Sequence, residues 1–196
     1  ANLIESRDGS TGLHVKNTQN YVQILTKALR EKGMYPDILD HNYELNTVKA
    51  SVLHDIGKIK TPDAILLKPG RLTDEEFEVM KQHTVAGCEI IDRIIGNVEH
   101  EEYVDIARKI ARYHHERWDG TGYPDGLSGE EIPLCARIMA LADVFDALYQ
   151  DRCYKKAIRP ASKVFEIIKE NSGSQFDPNL TEIFLELQRE ITDISE

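Results

Sequence analysis

Apolar residues recur at helical spacing along most of the chain, and alternation with period two is missing over any convincing length. "VKNTQNYVQILTKALREKG" repeats Val22, Leu25 and Leu29 and stops at Gly33. In "ELNTVKASVLHD", Leu45, Val48 and Val52 form one stripe, and Gly57 ends it. "LTDEEFEVMKQHTVAGCEIIDRII" opens on Thr73-x-x-Glu76, a capping box. Phe77, Met80, Thr84, Gly87 and Ile91 then follow the helical period. "EEYVDIARKIARYHH" predicts a helix from Glu101 to His115, and "LCARIMALADVFDALY" predicts the most apolar, central helix. "PASKVFEIIKEN" starts on Pro160, a favoured first-turn residue, and "DPNLTEIFLELQREI" offers Asp177 as a cap before Pro178. The pattern predicts an all-α helical bundle with no internal repeat and no low-complexity linker.

Composition narrows the options. A length of 196 residues suits one domain, and 41% hydrophobic with 30% charged residues supports a packed core. A net charge of −10 argues against a face for duplex nucleic acid, which needs clustered positive charge. It leaves room for a small anionic ligand on a local basic patch. No run of about 18 apolar residues and no signal-peptide pattern occur, so the expectation is a cytoplasmic segment without membrane contact. Cys88, Cys135 and Cys153 are widely spaced and form no C-x-x-C pair, which reads as reduced thiols. A first residue of Ala, with a helix predicted soon after, reads as a domain cut from a longer chain.

The chemistry concentrates on histidine. "RYHHERWDGTGYP" sets two imidazoles side by side and then breaks the helix with a glycine-rich loop. Neighbouring side chains on a helix point roughly 100° apart. They can share only a point between them, such as a metal. His41 and His100 sit in polar surroundings and read as surface residues. His54 is followed by Asp55, His83 shares a helical face with Met80, and Asp143 and Asp146 interrupt the central apolar helix. A buried carboxylate without a partner costs several kcal/mol. Imidazoles bind first-row metals, carboxylates bridge them, and helix-borne ligands build dinuclear sites in bundle cores. Arg152, Lys155, Lys156 and Arg159 fall close together against the acidic background. They read as an anion site or as a solvated helix end, with Arg suited to phosphate by its fork of donors and Lys as a point charge.

The segments "HDIGK", "KQHTVAG", "HHERWDGTGYPDGLSGEEIPL", "RIMALADVFDALYQDRCYKKA" and "SQFDP" occur in order. In them the chain resembles the HD-GYP family of bacterial cyclic di-GMP phosphodiesterases, within the HD hydrolase superfamily, from about Ser10 to the last helix. The resemblance implies a bundle of the HD-domain type with an extended C-terminal helical part. It implies one domain over 1–196, taken from a chain with an upstream sensor or receiver domain. It implies a metal cage of His14, His54, Asp55, His83, His114, His115 and Asp143, with Asp55 bridging two ions. One ion would take His14, His54 and Asp143, and the other His83, His114 and His115. Gly122, Tyr123 and Pro124 would lie beside the dinucleotide, and Arg152, Lys155 and Lys58 would meet its phosphate.

The catalytic residues are expected to be Asp55, Lys58, which offsets developing charge, and Asp146, which orients the water or Lys58. A histidine-rich, carboxylate-bridged site points to iron or manganese. Relatives able to hold three metals carry a glutamate four residues before the first histidine. Ser10 stands in that place, so two ions are expected and the further cut of pGpG to GMP is in question. Cys153 departs from a proline that many relatives carry. The expected activity is hydrolysis of cyclic di-GMP. The alternatives are hydrolysis of 3′,3′-cyclic GMP-AMP and a non-enzymatic receptor, which the intact ligand set disfavours. A homodimer or partner signalling domains are compatible with this reading.

Overall fold

A computed structural model of the chain describes residues 13–95, 101–150 and 157–195. Ser10, His100, Arg152, Cys153, Lys155 and Lys156 lie outside them, together with the expectations they carry. Helix α1 spans Leu13–Glu31, α2 His41–Ala50, α3 Asp63–Leu66, α4 Asp74–Lys81 and α5 His83–Ile95. Then come α6 at Glu101–Tyr113, α7 at Leu134–Tyr149, α8 at Ala161–Glu170, α9 at Pro178–Glu186 and α10 at Gln188–Ser195. The described residues contain no strand, as expected of an all-α bundle. None of their helices is long and apolar enough to cross a membrane.

Helix α7 is the axis. It has apolar residues on every side, and Cys135, Ile138, Met139, Leu141 and Phe145 are all fully buried. Tyr21, Phe165 and Phe184 surround Phe145 with ring centroids 5.2, 4.9 and 5.7 Å away, which ties α1, α8 and α9 to the axis. Burying each such side chain contributes about 1.5–3 kcal/mol. A buried ion pair closes the far end, where Arg137 Nη1 donates to Asp177 Oδ2 at 2.6 Å. The Arg137 guanidinium also lies over the rings of Tyr35 and Trp118.

Several local readings are corrected. The helix through "ELNTVKASVLHD" ends at Ala50, and two 3-10 turns follow, Ser51–Leu53 and Ile56–Lys60. Its buried face is Glu44, Thr47 and Ala50, while Leu45 is exposed. Apolar spacing missed this face because Glu44 is buried by pairing with Arg30. The helix predicted from Thr73 to Ile95 breaks at Gln82, whose N–H donates to Val79 O, three residues back, at 3.2 Å. The capping box at Thr73 and Glu76 forms, but Phe77 ahead of the break is exposed. Pro160 occupies the position before α8 rather than its first turn, and Asp177 caps α9.

Candidate metal centre

The chain breaks regular helix where chemistry is needed. His14 lies in the first turn of α1 and Asp143 in α7. His54 and Asp55 sit between the two 3-10 turns, His83 opens α5, and His114 and His115 follow α6 directly. Gly57 allows this convergence. A Cβ there would lie 1.8 Å from the His83 carbonyl oxygen and 2.5 Å from the Gly87 nitrogen. Only glycine lets the "HDIGK" turn press against the start of α5.

Four imidazoles are tethered from behind through Nδ1. His54 Nδ1 meets Ser51 O at 2.8 Å, His83 Nδ1 meets Met80 O at 2.8 Å, and His114 Nδ1 meets Ile110 O at 2.9 Å. Each carbonyl can only accept, so each Nδ1 carries a proton and Nε2 is the nitrogen left to face the cluster. His14 differs, because its Nδ1 meets the Asp146 carboxylate at 2.6 Å.

The Nε2 atoms of His54, His83 and His114, with Asp55 Oδ1, are buried and have no hydrogen-bond partner. A polar atom left in that state costs about 1–3 kcal/mol. With His14, His115 and Asp143 they fall in two groups: Asp55, His83, His114 and His115, and His14, His54 and Asp143. The donors within each group lie within 4.8 Å of one another. Asp55 reaches towards both, with Oδ1 at 3.3 Å from His83 Nε2 and Oδ2 at 3.3 Å from His54 Nε2. Asp143 Oδ1 stands 3.5 Å from His14 Nε2 and 4.0 Å from His54 Nε2. Orphaned imidazole nitrogens converging on carboxylate oxygens are a donor set that suits divalent metal.

Electrostatics divide the cluster. Burial pulls the His83 imidazole down to about 4 and holds His115 well below its usual value, so both rings are neutral. Burial also opposes charge on His54, but Asp55 and Asp143 overcome it and lift the ring to about 9. Burial works against the Asp55 carboxylate, yet Lys58 and His54 hold it well below the usual range. Asp143 is held low in the same way by His54 and His14.

All seven expected ligands therefore lie together. Lys58 Nζ donates to Asp55 Oδ2 at 2.7 Å, beside the cluster. Asp146 departs from its expected place at the water or Lys58. It is buried behind His14, and Asn17 Nδ2 donates to its other oxygen at 3.4 Å. Tyr123 stacks on His115 with centroids 4.9 Å apart, and its N–H donates to His115 O. Gly122 is needed for close approach, since a Cβ would lie 2.3 Å from the Arg117 nitrogen.

Two residues escaped the sequence reading. Glu116 is buried, and its carboxylate accepts from the N–H groups of Asp125, Gly126 and Leu127, fixing the loop from inside. Its signal was an acidic residue directly after the paired histidines. Asn17, one helical turn beyond His14, was legible only by that spacing. A larger open depression of about 950 Å³, lined by Tyr149, Arg159, Phe165 and Arg189 among others, holds none of the cluster.

The HD domain family matches residues 7–180. A cyclic di-GMP phosphodiesterase of Vibrio cholerae is 46% identical over 196 residues, covering 98% of this chain and 39% of that protein. A 3′3′-cGAMP-specific phosphodiesterase of the same organism is 38% identical, covering 95% of this chain and 33% of that protein. The chain thus spans well under half the length of these relatives. In fold it is similar to a solved cyclic GMP-AMP-specific phosphodiesterase of V. cholerae, with a TM-score of 0.62 at 18% identity over 97% of this chain and 49% of that one. With the motif order, the helical fold and the histidine–aspartate cluster in agreement, the chain belongs to the HD domain family, in its HD-GYP group.

Proposed function

We propose that the chain hydrolyses a phosphodiester bond of cyclic di-GMP to give linear pGpG, at a centre of two divalent cations. The observation that carries this reading is the pair of converging His and Asp groups, in which the Nε2 atoms of His54, His83 and His114 and Asp55 Oδ1 are buried without a hydrogen-bond partner. His14, His54 and Asp143 would hold one cation, and His83, His114 and His115 the other. Asp55 would serve both, one oxygen to each side. Such a pair supplies Lewis-acid charge and an activated water for in-line attack on phosphorus.

The chain's own groups do the rest. The Nδ1 tethers fix the rings, so little reorganisation is needed when charge develops. Lys58, already beside Asp55, offsets negative charge gathering on the phosphate oxygens. Tyr123, backed by His115, forms a wall for the substrate. Asp146 acts as a positioning residue by holding His14. Arg152 and Lys155, outside the described residues, would meet the phosphate, as the family resemblance implies. Iron or manganese is the metal favoured by a histidine-rich set joined by a carboxylate, and Ser10 favours two ions over three.

A second reading, hydrolysis of 3′,3′-cyclic GMP-AMP, is favoured by the 38% identical relative that bears that specificity in its name. Protein reconstituted with Mn(II) or Fe(II) should be assayed on both dinucleotides with product analysis. Conversion of cyclic di-GMP to pGpG, abolished by chelation and restored by metal, is expected. Turnover of the mixed dinucleotide alone favours the second reading. Binding without turnover of either contradicts both.

A further inference from the structure

A pocket of about 300 Å³ opens directly off the metal centre. It shares His83 and His115 with the centre, so a group lodged in it is continuous with anything bound at the metals. Its other side is apolar, formed by Ile65 and Leu66 of α3, Leu72 of the following loop and Met80 of α4. A volume near the lower end of small-molecule sites, which run about 300–1,000 Å³, takes one ring system and not a whole cyclic dinucleotide. Apolar walls beside an anion-binding centre suit the part of a nucleotide that is flat and uncharged.

The polar groups on the lining point the same way. Tyr123 offers a ring held by its stack on His115, with Phe77 edge-on at 6.0 Å and the Lys81 ammonium 5.7 Å from the ring centroid. A fixed aromatic face of that kind suits base stacking. Lys68 lines the pocket and is itself held, because Nζ donates to Glu76 Oε2 at 2.5 Å. The same Glu76 oxygen accepts from the Thr73 N–H at 2.7 Å as part of the α4 cap. An ammonium has three donors and no acceptor, so Lys68 retains donors for a ligand. Guanine presents two acceptors, N7 and O6, on one edge, where adenine pairs an acceptor with an amino donor.

We propose that this pocket receives one guanine base while the attached phosphate lies at the metal centre, and that Lys68 selects guanine over adenine through its O6 and N7 edge. The proposal rests on the phosphodiesterase reading for the orientation of the nucleotide, but its test needs no turnover.

The test is calorimetric titration of Mn(II)-reconstituted protein with GMP, AMP and inorganic phosphate. Wild type should bind GMP about tenfold or more tightly than phosphate, the scale of one stacked base. Leu72→Trp fills the pocket from the loop and should abolish that advantage, with phosphate binding retained as proof of an intact centre. Lys68→Met tests the same pocket without adding bulk, and should reduce the preference for GMP over AMP about fivefold or more. GMP binding no tighter than phosphate in wild type overturns the proposal. So does a Leu72→Trp protein that binds phosphate and keeps the full GMP advantage, and so does an unchanged GMP-to-AMP ratio in Lys68→Met. A wild type that hydrolyses neither dinucleotide but shows the expected pattern removes the phosphodiesterase reading and leaves the pocket standing.

Discussion

The two halves of the metal centre are built by different means. His14 and Asp143 come from the long helices α1 and α7, with His54 supplied by the turn against them. His83, His114 and His115 all come from helix ends, at the start of α5 and just past α6. His54 and His83 make the sharpest contrast. Both are buried, and both tether Nδ1 at 2.8 Å to a carbonyl three residues back. Yet His54 is lifted to about 9 while His83 falls to about 4. The tether is the same, so neighbours set the charge. Burial disfavours charge on both, but His54 feels two carboxylates, whereas at His83 burial, His114 and Lys58 together outweigh the single carboxylate of Asp55. One half therefore sets a charged imidazole against a carboxylate, while His83 and His115 in the other stay neutral, and Asp55 lies between the two.

That contrast can be broken at its joint. Asp55→Ala removes the one carboxylate that reaches both halves. The expected outcome is loss of both ions and of hydrolysis, with the fold retained, read by metal analysis and circular dichroism. Retention of two metals per chain in this variant contradicts the shared-ligand role.

Gly57→Ala attacks the same joint through packing. The added methyl collides with the His83 carbonyl and the Gly87 nitrogen, both backbone atoms that cannot swing aside. A loss of about 1–3 kcal/mol in denaturant unfolding is expected, with the two halves pushed apart. A variant of wild-type stability and full metal content would show that the turn relaxes freely.

Asp146→Asn should sharpen the contrast, because it touches one half alone. Its amide cannot hold His14 Nδ1 as the carboxylate does, and weaker support of this kind lowers metal affinity about 10–100-fold. The effect should fall on one ion per chain, with the second titrating as in wild type. Equal weakening of both ions would mean that Asp146 acts on the whole cluster.

Much of this was legible in sequence. Helix α7 matches "LCARIMALADVFDALY" from end to end because a run so apolar, broken only by Arg137, Asp143 and Asp146, can be covered only at the centre of a small bundle. The seven residues that the structure brings into one cluster were named by the resemblance carried on motif order. The joint between the halves was harder to see. Gly57 reads as a helix stop, and nothing local says that it must lie against α5. The role of Asp146 was also hidden, because spacing along α7 shows that it neighbours Asp143 but not that it meets Nδ1 of His14, a cluster member from a helix distant in sequence. Glu116 was missed because its partners are backbone N–H groups of the loop, which carry no signature in side-chain type.

The central claim is that one carboxylate joins two cations into a single centre. Electron paramagnetic resonance of wild-type protein loaded with Mn(II), alongside its metal content, tests it most directly. Two ions per chain with the spectrum of an exchange-coupled pair is the predicted result. One ion per chain, or two that give only the signals of isolated Mn(II), would contradict it.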